Sequence, residues 1–245
     1  MAQESALPVL RLALPKGRMQ EQAIKLLNEA GVQVKVGDRE YRPVVNLPNC
    51  TVDCKLLKPQ NCLEMLANGT RDLCFGGLDW VTNLGIAEQV VEVLDTELDP
   101  VRIIAASPDA TILESAKASG RALVVASEYE KVTRDWIASS GLNARFVRAF
   151  GATESFPPDD ADIIVDNTAT GSTLKANGLH IVSTLFTSST RLFANRESMQ
   201  DPIKKRVIEE LVLLLKSVLA GRNHMLVEFN LESSKVCAQC ASIRT

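Results

Sequence analysis

The stretch from Ala161 to Leu174, ADIIVDNTATGSTL, holds the densest set of groups able to do chemistry. Its apolar start reads as a buried strand that delivers Asp166 to its tip. The residues that follow form a small, hydroxyl-rich loop leading into a helix that starts near Ser172. Free backbone N–H groups in such a loop, joined by the hydroxyls of Thr168, Thr170, Ser172 and Thr173, suit a phosphate monoester. Asp166 then faces sugar hydroxyls, because a carboxylate repels phosphate and accepts from hydroxyls. The alternative is an ordinary helix cap, with Thr170 or Ser172 serving only the helix end. A cap needs one such residue, so four hydroxyls beside Gly171 favour a ligand.

A second cluster is Pro15-Lys16-Gly17-Arg18, two cations around a glycine at the end of an apolar run. It suits another phosphate group, although solvated surface charge reads as well. It is too short for a Walker loop, and no GxxxxGK[ST] occurs elsewhere. Lys55 and Lys58 extend the same positive rim. Gly76-Gly77-Leu78-Asp79-Trp80 also follows a strand, so a ligand can approach the backbone there. Asp79 is equally a helix N-cap, and Trp80 equally a core residue. Glu154, on a Pro-rich loop ahead of the Asp166 strand, can share a polyol or an ion with Asp166. Neither His180 nor His224 has a nucleophile context, and GxSxG and HExxH are missing. The chemistry suggested is positioning and electrostatic stabilisation.

These groups need a frame, and the periodicity supplies one. Val9 to Leu14 reads as a strand and the stretch to Ala30 as a helix. Val52 to Leu57 reads as a strand, and Pro59 opens a helix that stops at Asn68-Gly69. A strand from Asp72 to Phe75 and a helix near Asp79 follow. The pattern pauses around Asp95 and restarts with strands at Val101 to Ala106, Arg121 to Ala126, Ala144 to Phe150 and Ala161 to Val165. Helices from Pro108 to Ser119 and Glu128 to Ser139 lie between them. Strand-like segments then run through Thr184 and from Thr187 to Phe193, before a helix from Asp201 to Ala220.

This is α/β grammar. Taking Asp95 to Pro100 and Leu185 to Thr190 as two crossings predicts two lobes around a cleft, the second inserted into the first. Lobe I then comprises 1–98 and 186–222, and lobe II comprises 99–185. Residues 223–245 form a remnant or divergent tail, with one strand from His224 to Leu231.

At 245 residues and 46% hydrophobic, the chain is long and apolar enough for a real core and excludes disorder. The formal charge of -3 argues against bulk nucleic-acid binding, so phosphate specificity must come from a pocket. The apolar run at Leu211 to Leu215 is too short to cross a bilayer, and no secretory signal is visible. The expected location is the cytoplasm, or an organelle if a leader has been removed. Six cysteines are too sparse for a disulfide scaffold. Cys237 and Cys240 have CxxC spacing without a second pair, and the other four read as buried or incidental thiols.

These residues closely resemble the ATP phosphoribosyltransferase family, which catalyses the first step of histidine biosynthesis. The resemblance is carried by Leu14 to Arg18, Leu57-Lys58-Pro59-Gln60, Gly69 to Asp72, Gly77 with Asp79-Trp80, Val91 to Val101 and above all Asp166 to Leu179. It implies two α/β lobes of the type II periplasmic binding-protein kind. It also implies that Thr168, Ala169, Thr170, Gly171, Ser172 and Thr173 hold the 5'-phosphate of phosphoribosyl pyrophosphate, with Glu154 and Asp166 on its ribose hydroxyls. Lys16, Gly17, Arg18, Lys58, Gly77 and Asp79 would serve ATP or the phosphates, and Arg18 and Asp166 would be catalytic. The implied reaction is magnesium-dependent attack of adenine N1 of ATP on C1 of the donor, releasing pyrophosphate.

The chain departs from the family pattern in places. The loop between Glu154 and Asp166 is one residue short, and Asn167 stands where the family has an apolar residue. From Glu232 onward the resemblance is lost, so the regulatory domain of long-form members is expected to be missing. A homodimer that escapes histidine inhibition is the expectation. A separate subunit resembling histidyl-tRNA synthetase, the partner of short-form members, is the less favoured arrangement. Two other readings stay open: a non-catalytic nucleotide or sugar-phosphate binding module, and an inactive truncated isoform.

Overall fold

The computed structural model describes residues 7–37 and 40–222. The chain order begins β1 (Val9–Pro15), α1 (Arg18–Glu29), β2 (Gln33–Lys35), β3 (Val44–Asn46), β4 (Thr51–Leu57), α2 (Pro59–Ala67), β5 (Leu73–Gly77) and α3 (Leu78–Leu84). It continues with β6 (Val90–Ser107), α4 (Ile112–Ser119), β7 (Leu123–Ser127), α5 (Glu130–Ser140) and β8 (Ala144–Arg148). A single 3-10 turn (Thr153–Ser155) precedes β9 (Ile163–Thr168), α6 (Ser172–Ala176), β10 (His180–Asn195) and α7 (Pro202–Arg222).

Eight strands share one sheet in the order β4-β1-β5-β10-β6-β9-β7-β8. One half carries parallel β4, β1 and β5, and the other carries parallel β9, β7 and β8. The long antiparallel pair β6 and β10 runs through both halves and is the double crossing between lobes. The register of that pair slips between Ser188 and Arg191, where Thr190 pairs with Leu98 but Arg191 with Asp95. Extra residues in one strand of a ladder bend it and raise its twist, and here they divide the sheet into two lobes. Glu97 and Asp99 take positive φ values of 56° and 47° at this bend.

Strand alternation sends side chains to both faces of each half, and both faces are covered. In lobe I, Leu12 and Leu14 of β1 pack with Leu26 and Leu27 of α1 and Leu211 and Leu215 of α7. Ala13 points the other way, toward Leu63 and Leu66 of α2. In lobe II, Ile103 and Ala105 pack under Ile112 of α4 and Trp136 of α5. Ile104 and Ala106 face Leu174 of α6. Each buried aliphatic side chain contributes about 1.5–3 kcal/mol, which fixes the strands that present the site.

Several elements differ from the sequence-based expectation. The pause at Asp95 is no break: β6 continues through it because β10 pairs with it on both sides of the bend. The two segments flanking Leu185 are likewise one strand. β2 and β3 form a separate two-stranded antiparallel pair, with Gln33 opposite Asn46 and Lys35 opposite Val44. The expected tail strand and the pair Cys237 and Cys240 lie outside the described residues. No described helix is long and apolar enough to cross a membrane.

Candidate active site in the interlobe cleft

The loop after β1 reaches the cleft because Pro15 ends the strand and Gly17 takes φ +83°, a left-handed value that strains any residue with a Cβ. The Lys16 N–H donates to Leu57 O over 2.7 Å, tying this loop to the end of β4. The Lys16 ammonium lies 3.7 Å from the Tyr41 ring centroid, a cation–π contact. Arg18 opens α1 with its side chain 58% exposed, and its Nε stands 4.0 Å from Asp99 Oδ1 at the bend of β6. Lys58 is the exposed residue before α2, and its neighbour Pro59 lines the cleft instead.

Gly76 and Gly77 belong to β5 itself, and α3 starts at Leu78. Asp79 is therefore not the N-cap but a buried residue of the first helical turn, 6% exposed. Its Oδ2 accepts from the Tyr129 hydroxyl at 2.7 Å and its Oδ1 from Ser188 Oγ at 2.7 Å. Ser188 Oγ in turn accepts the Asp79 N–H at 3.0 Å. Burial pushes the Tyr129 hydroxyl far above its ordinary value, and the adjacent carboxylate adds to this, so Tyr129 stays a donor. Trp80 stacks on Tyr129 with ring centroids 4.7 Å apart.

Asp166 does not end its strand, since β9 runs on to Thr168 and pairs Asp166 with Ile104 of β6. Its carboxylate accepts from Thr153 Oγ1, and from the Asn167 N–H at 2.6 Å. Burial pushes this carboxyl above its ordinary value; the Thr153 and Asn167 donors oppose that, while the Glu154 and Glu128 charges reinforce it. The following loop turns at Gly171, φ +79° with open space around the missing Cβ, and Thr168 Oγ1 accepts the Gly171 N–H at 3.0 Å. Thr170 Oγ1 donates to Ser172 Oγ at 3.0 Å. Gly171 at the N-cap of α6 offers no side chain, and Thr170 Oγ1 accepts the Ser172 N–H at 3.4 Å; among the described residues the N–H groups of Ala169, Thr170 and Thr173 make no hydrogen bond.

Two cavities result. One of 290 Å³ is walled by Lys16, Arg18, Gly77, Asp79 and Tyr129, with Ser188 to Thr190 of β10 behind them. The other, of 380 Å³, is walled by Glu154, Asp166 and the loop from Thr168 to Thr173. Arg18 and Asn167 line both, so the two spaces meet at these side chains. Of the residues that the resemblance implies for the site, Gly17 and Lys58 stand outside both linings. Among the described residues, no three His, Cys, Asp or Glu side chains converge as a preformed metal cage.

The chain has counterparts among known proteins. The profile of the ATP phosphoribosyltransferase family matches residues 58–217. The chain belongs to the ATP phosphoribosyltransferase family. The matched span includes Gly77, Asp79, Glu154, Asp166 and the hydroxyl loop, with Lys16 to Arg18 upstream of it. An ATP phosphoribosyltransferase of Pelotomaculum thermopropionicum is 35% identical over 93% of this chain and 78% of that protein. That of Chlorobium phaeovibrioides is 34% identical over 96% of this chain and 80% of its own length. Among solved structures, an ATP phosphoribosyltransferase HisG:HisZ complex from Thermotoga maritima superposes with a TM-score of 0.71 at 25% identity, over 86% of this chain and 99% of that one. The aliphatic sulphonate binding protein SsuA of Escherichia coli shares only the fold, with a TM-score of 0.53 at 12% identity, over 87% of this chain and 73% of that one. The architecture is thus the two-lobed type II periplasmic binding-protein fold with its cleft between lobes.

Tyr129, Asn167, Ser188, Thr153 and Asp99 were not expected as site residues. Tyr129 closely follows β7, and the carboxyl end of a parallel strand is where open α/β sheets bind ligands, so its position was a usable signal. Ser188 and Asp99 come from antiparallel crossing strands, where no such rule applies.

Proposed function

We propose that this chain condenses ATP with 5-phosphoribosyl 1-pyrophosphate to give N1-(5-phosphoribosyl)-ATP and pyrophosphate, the first step of histidine biosynthesis. The observation that carries the reading is the meeting of the two cavities at Arg18 and Asn167. One contains a hydroxyl-rich loop with unpaired N–H groups beside two carboxylates, and the other contains cations beside an aromatic wall.

The free N–H groups and hydroxyls from Thr168 to Thr173 hold the 5'-phosphate, and Glu154 and Asp166 accept from the ribose hydroxyls. Lys16 and Arg18 meet the phosphates at the junction, Gly77 allows close approach of the nucleotide, and Lys58 adds charge from the rim. A bond forms from adenine N1 to C1 while the C1–O bond breaks, its electron pair leaving with pyrophosphate. Holding both reactants in line converts a bimolecular encounter into a local one, and Arg18 stabilises charge that develops on the leaving group. No protein nucleophile is required. Glu154 and Asp166 are hard oxygen donors of the kind magnesium takes alongside substrate phosphates, where the ion would neutralise pyrophosphate charge.

The lobes are proposed as 1–98 with 186–222 and as 99–185, and the working assembly as a homodimer. The Thermotoga HisG:HisZ complex supports a second arrangement, in which a subunit resembling histidyl-tRNA synthetase joins the chain.

The test is purified chain with ATP, phosphoribosyl pyrophosphate, magnesium and inorganic pyrophosphatase, with product followed by mass spectrometry. Phosphoribosyl-ATP that disappears in Asp166→Ala and Thr170→Ala supports the assignment. A folded, monodisperse chain that binds phosphoribosyl pyrophosphate without turnover points to a binding module, or to a catalytic subunit awaiting its partner.

A further inference from the structure

We propose that Asn167 is a positioning residue that couples the phosphoribosyl pocket to the nucleotide cavity. The inference rests on the substrate assignment of the two cavities given above. Asn167 Nδ2 stands 3.1 Å from Tyr129 Oη and 3.2 Å from Asp166 Oδ1. The orientation of the amide follows from chemistry, because the opposite one would turn its oxygen onto the Asp166 carboxylate.

Tyr129 spends its only proton on Asp79, so its oxygen can only accept from Asn167. The hydrogen bonds therefore run outward from Ser188 and Tyr129 to Asp79, and from Asn167 and Thr153 to Asp166. Among the described residues, Asn167 is the one side chain that joins these two sets. The chain spans the bent strand β10, both lobes and the loop bearing Glu154. Asn167 itself is exposed to the cleft and packs in no core cluster, so the amide serves this connection and not the fold.

An apolar residue at 167 would keep the backbone N–H bond to Asp166 but lose both side-chain bonds. A ligand that shifts Tyr129 in the nucleotide cavity then no longer moves Asp166. Coupling between two sites is measured as the factor by which one ligand changes affinity for the other. The amide donates to one neutral and one charged acceptor, and loss of such bonds corresponds to about tenfold in the coupled step.

The experiment uses the full chain as wild type, Asn167→Leu, Tyr129→Phe and the double variant. Calorimetry gives the Kd of phosphoribosyl pyrophosphate with and without 1-deaza-ATP, a nucleotide lacking the attacking nitrogen. Steady-state kinetics on ATP give kcat and each KM. In wild type, 1-deaza-ATP should tighten phosphoribosyl pyrophosphate binding. In Asn167→Leu that enhancement should fall to about one, with Kd in the absence of nucleotide changed less than about threefold and kcat down about tenfold. In the ratio of Kd with and without nucleotide the double variant should be no worse than the poorer single variant, because either substitution alone breaks the bond between Asn167 and Tyr129.

Retained enhancement and kcat in Asn167→Leu, additive losses of the Kd ratio in the double variant, or independent binding in wild type would each overturn the proposal. These outcomes leave the functional reading intact wherever wild type still makes product. A wild-type chain that binds both ligands without turnover still decides the role of Asn167 through the Kd ratios. One that binds neither ligand removes both readings together.

Discussion

The Tyr129 hydroxyl donates to Asp79 Oδ2 over 2.7 Å, and the two residues come from opposite lobes: Asp79 from the first turn of α3, Tyr129 from the residue before α5. Asp79→Ala strands the Tyr129 and Ser188 hydroxyls and opens a void beside them. We expect it to lower stability by about 1–3 kcal/mol, read as a fall in the urea midpoint. Tyr129→Phe should cost less, about 1 kcal/mol, because Ser188 still satisfies one Asp79 oxygen. An Asp79→Ala chain as stable as wild type would show that this interlobe bond contributes nothing.

A second interlobe bond caps a helix. Asn83 Oδ1 in α3 accepts the N–H groups of Lys131 at 3.0 Å and Val132 at 3.4 Å, in the first turn of α5, which has no side-chain cap of its own. Asn83→Ala should cost about 1 kcal/mol, as loss of an N-cap does. Asn83→Asp, which keeps the acceptor and adds a charge favoured at a helix start, should hold the midpoint.

Asp72 is fully buried and receives Arg11 Nη2 at 2.8 Å, Lys204 Nζ at 2.9 Å and Ser198 Oγ at 2.8 Å, fastening α7 to the sheet. Burial alone would raise its carboxyl, but the donors from Arg11, Lys204 and Ser198 together hold it well below the ordinary carboxylate range. Arg11 and Lys204 keep part of their length in water, so Asp72→Asn should cost about 2–3 kcal/mol, less than a fully enclosed pair. A native carboxyl lower than its unfolded value stabilises above the unfolded value, about pH 4, and the gain is lost as pH falls further. The stability gap between wild type and Asp72→Asn, followed by urea titration from pH 7 downward, should therefore narrow only below about pH 4.

Asp166 sits above its ordinary value, chiefly through burial, so its acceptor role fails at a higher pH than a free aspartate's would. The Kd for phosphoribosyl pyrophosphate should weaken on acidification in wild type, with that limb missing in Asp166→Asn. Glu154→Gln removes a charge that raises Asp166 and should move the limb to lower pH. An unchanged limb in Asp166→Asn would assign it to the ligand's own phosphate.

Burial pushes the thiols of Cys54 and Cys62 up to about 12 and that of Cys74 well above its ordinary value. At pH 8 roughly one Cys54 or Cys62 thiol in ten thousand is then thiolate, the reactive form. Peptide mass spectrometry after iodoacetamide should find all three unlabelled until denaturant is added. Labelling of the native chain would show that lobe I opens locally.

The alternation in Leu12-Ala13-Leu14 and Ile163-Ile164-Val165, Pro59 at the start of α2 and the hydroxyls from Thr168 to Thr173 were legible because each is a local property. Backbone sterics, period-two side-chain direction and an N–H-rich loop act over a few residues, so sequence alone determined the α/β class, the two lobes and the position of the hydroxyl-rich loop. The continuity of β6 through Asp95 was not legible, because a bulged strand is held by its partner β10 across 94 residues between Thr96 and Thr190. Asp79 shows the same limit: a carboxylate at a helix start reads locally as a cap or a ligand. Only the tertiary structure brings Ser188 and Tyr129 to its two oxygens. Asn167, a polar residue in a strand, acquires meaning only where the second lobe folds Tyr129 over it. Such pairings depend on which distant segments of the chain pack side by side, and tertiary packing decides that.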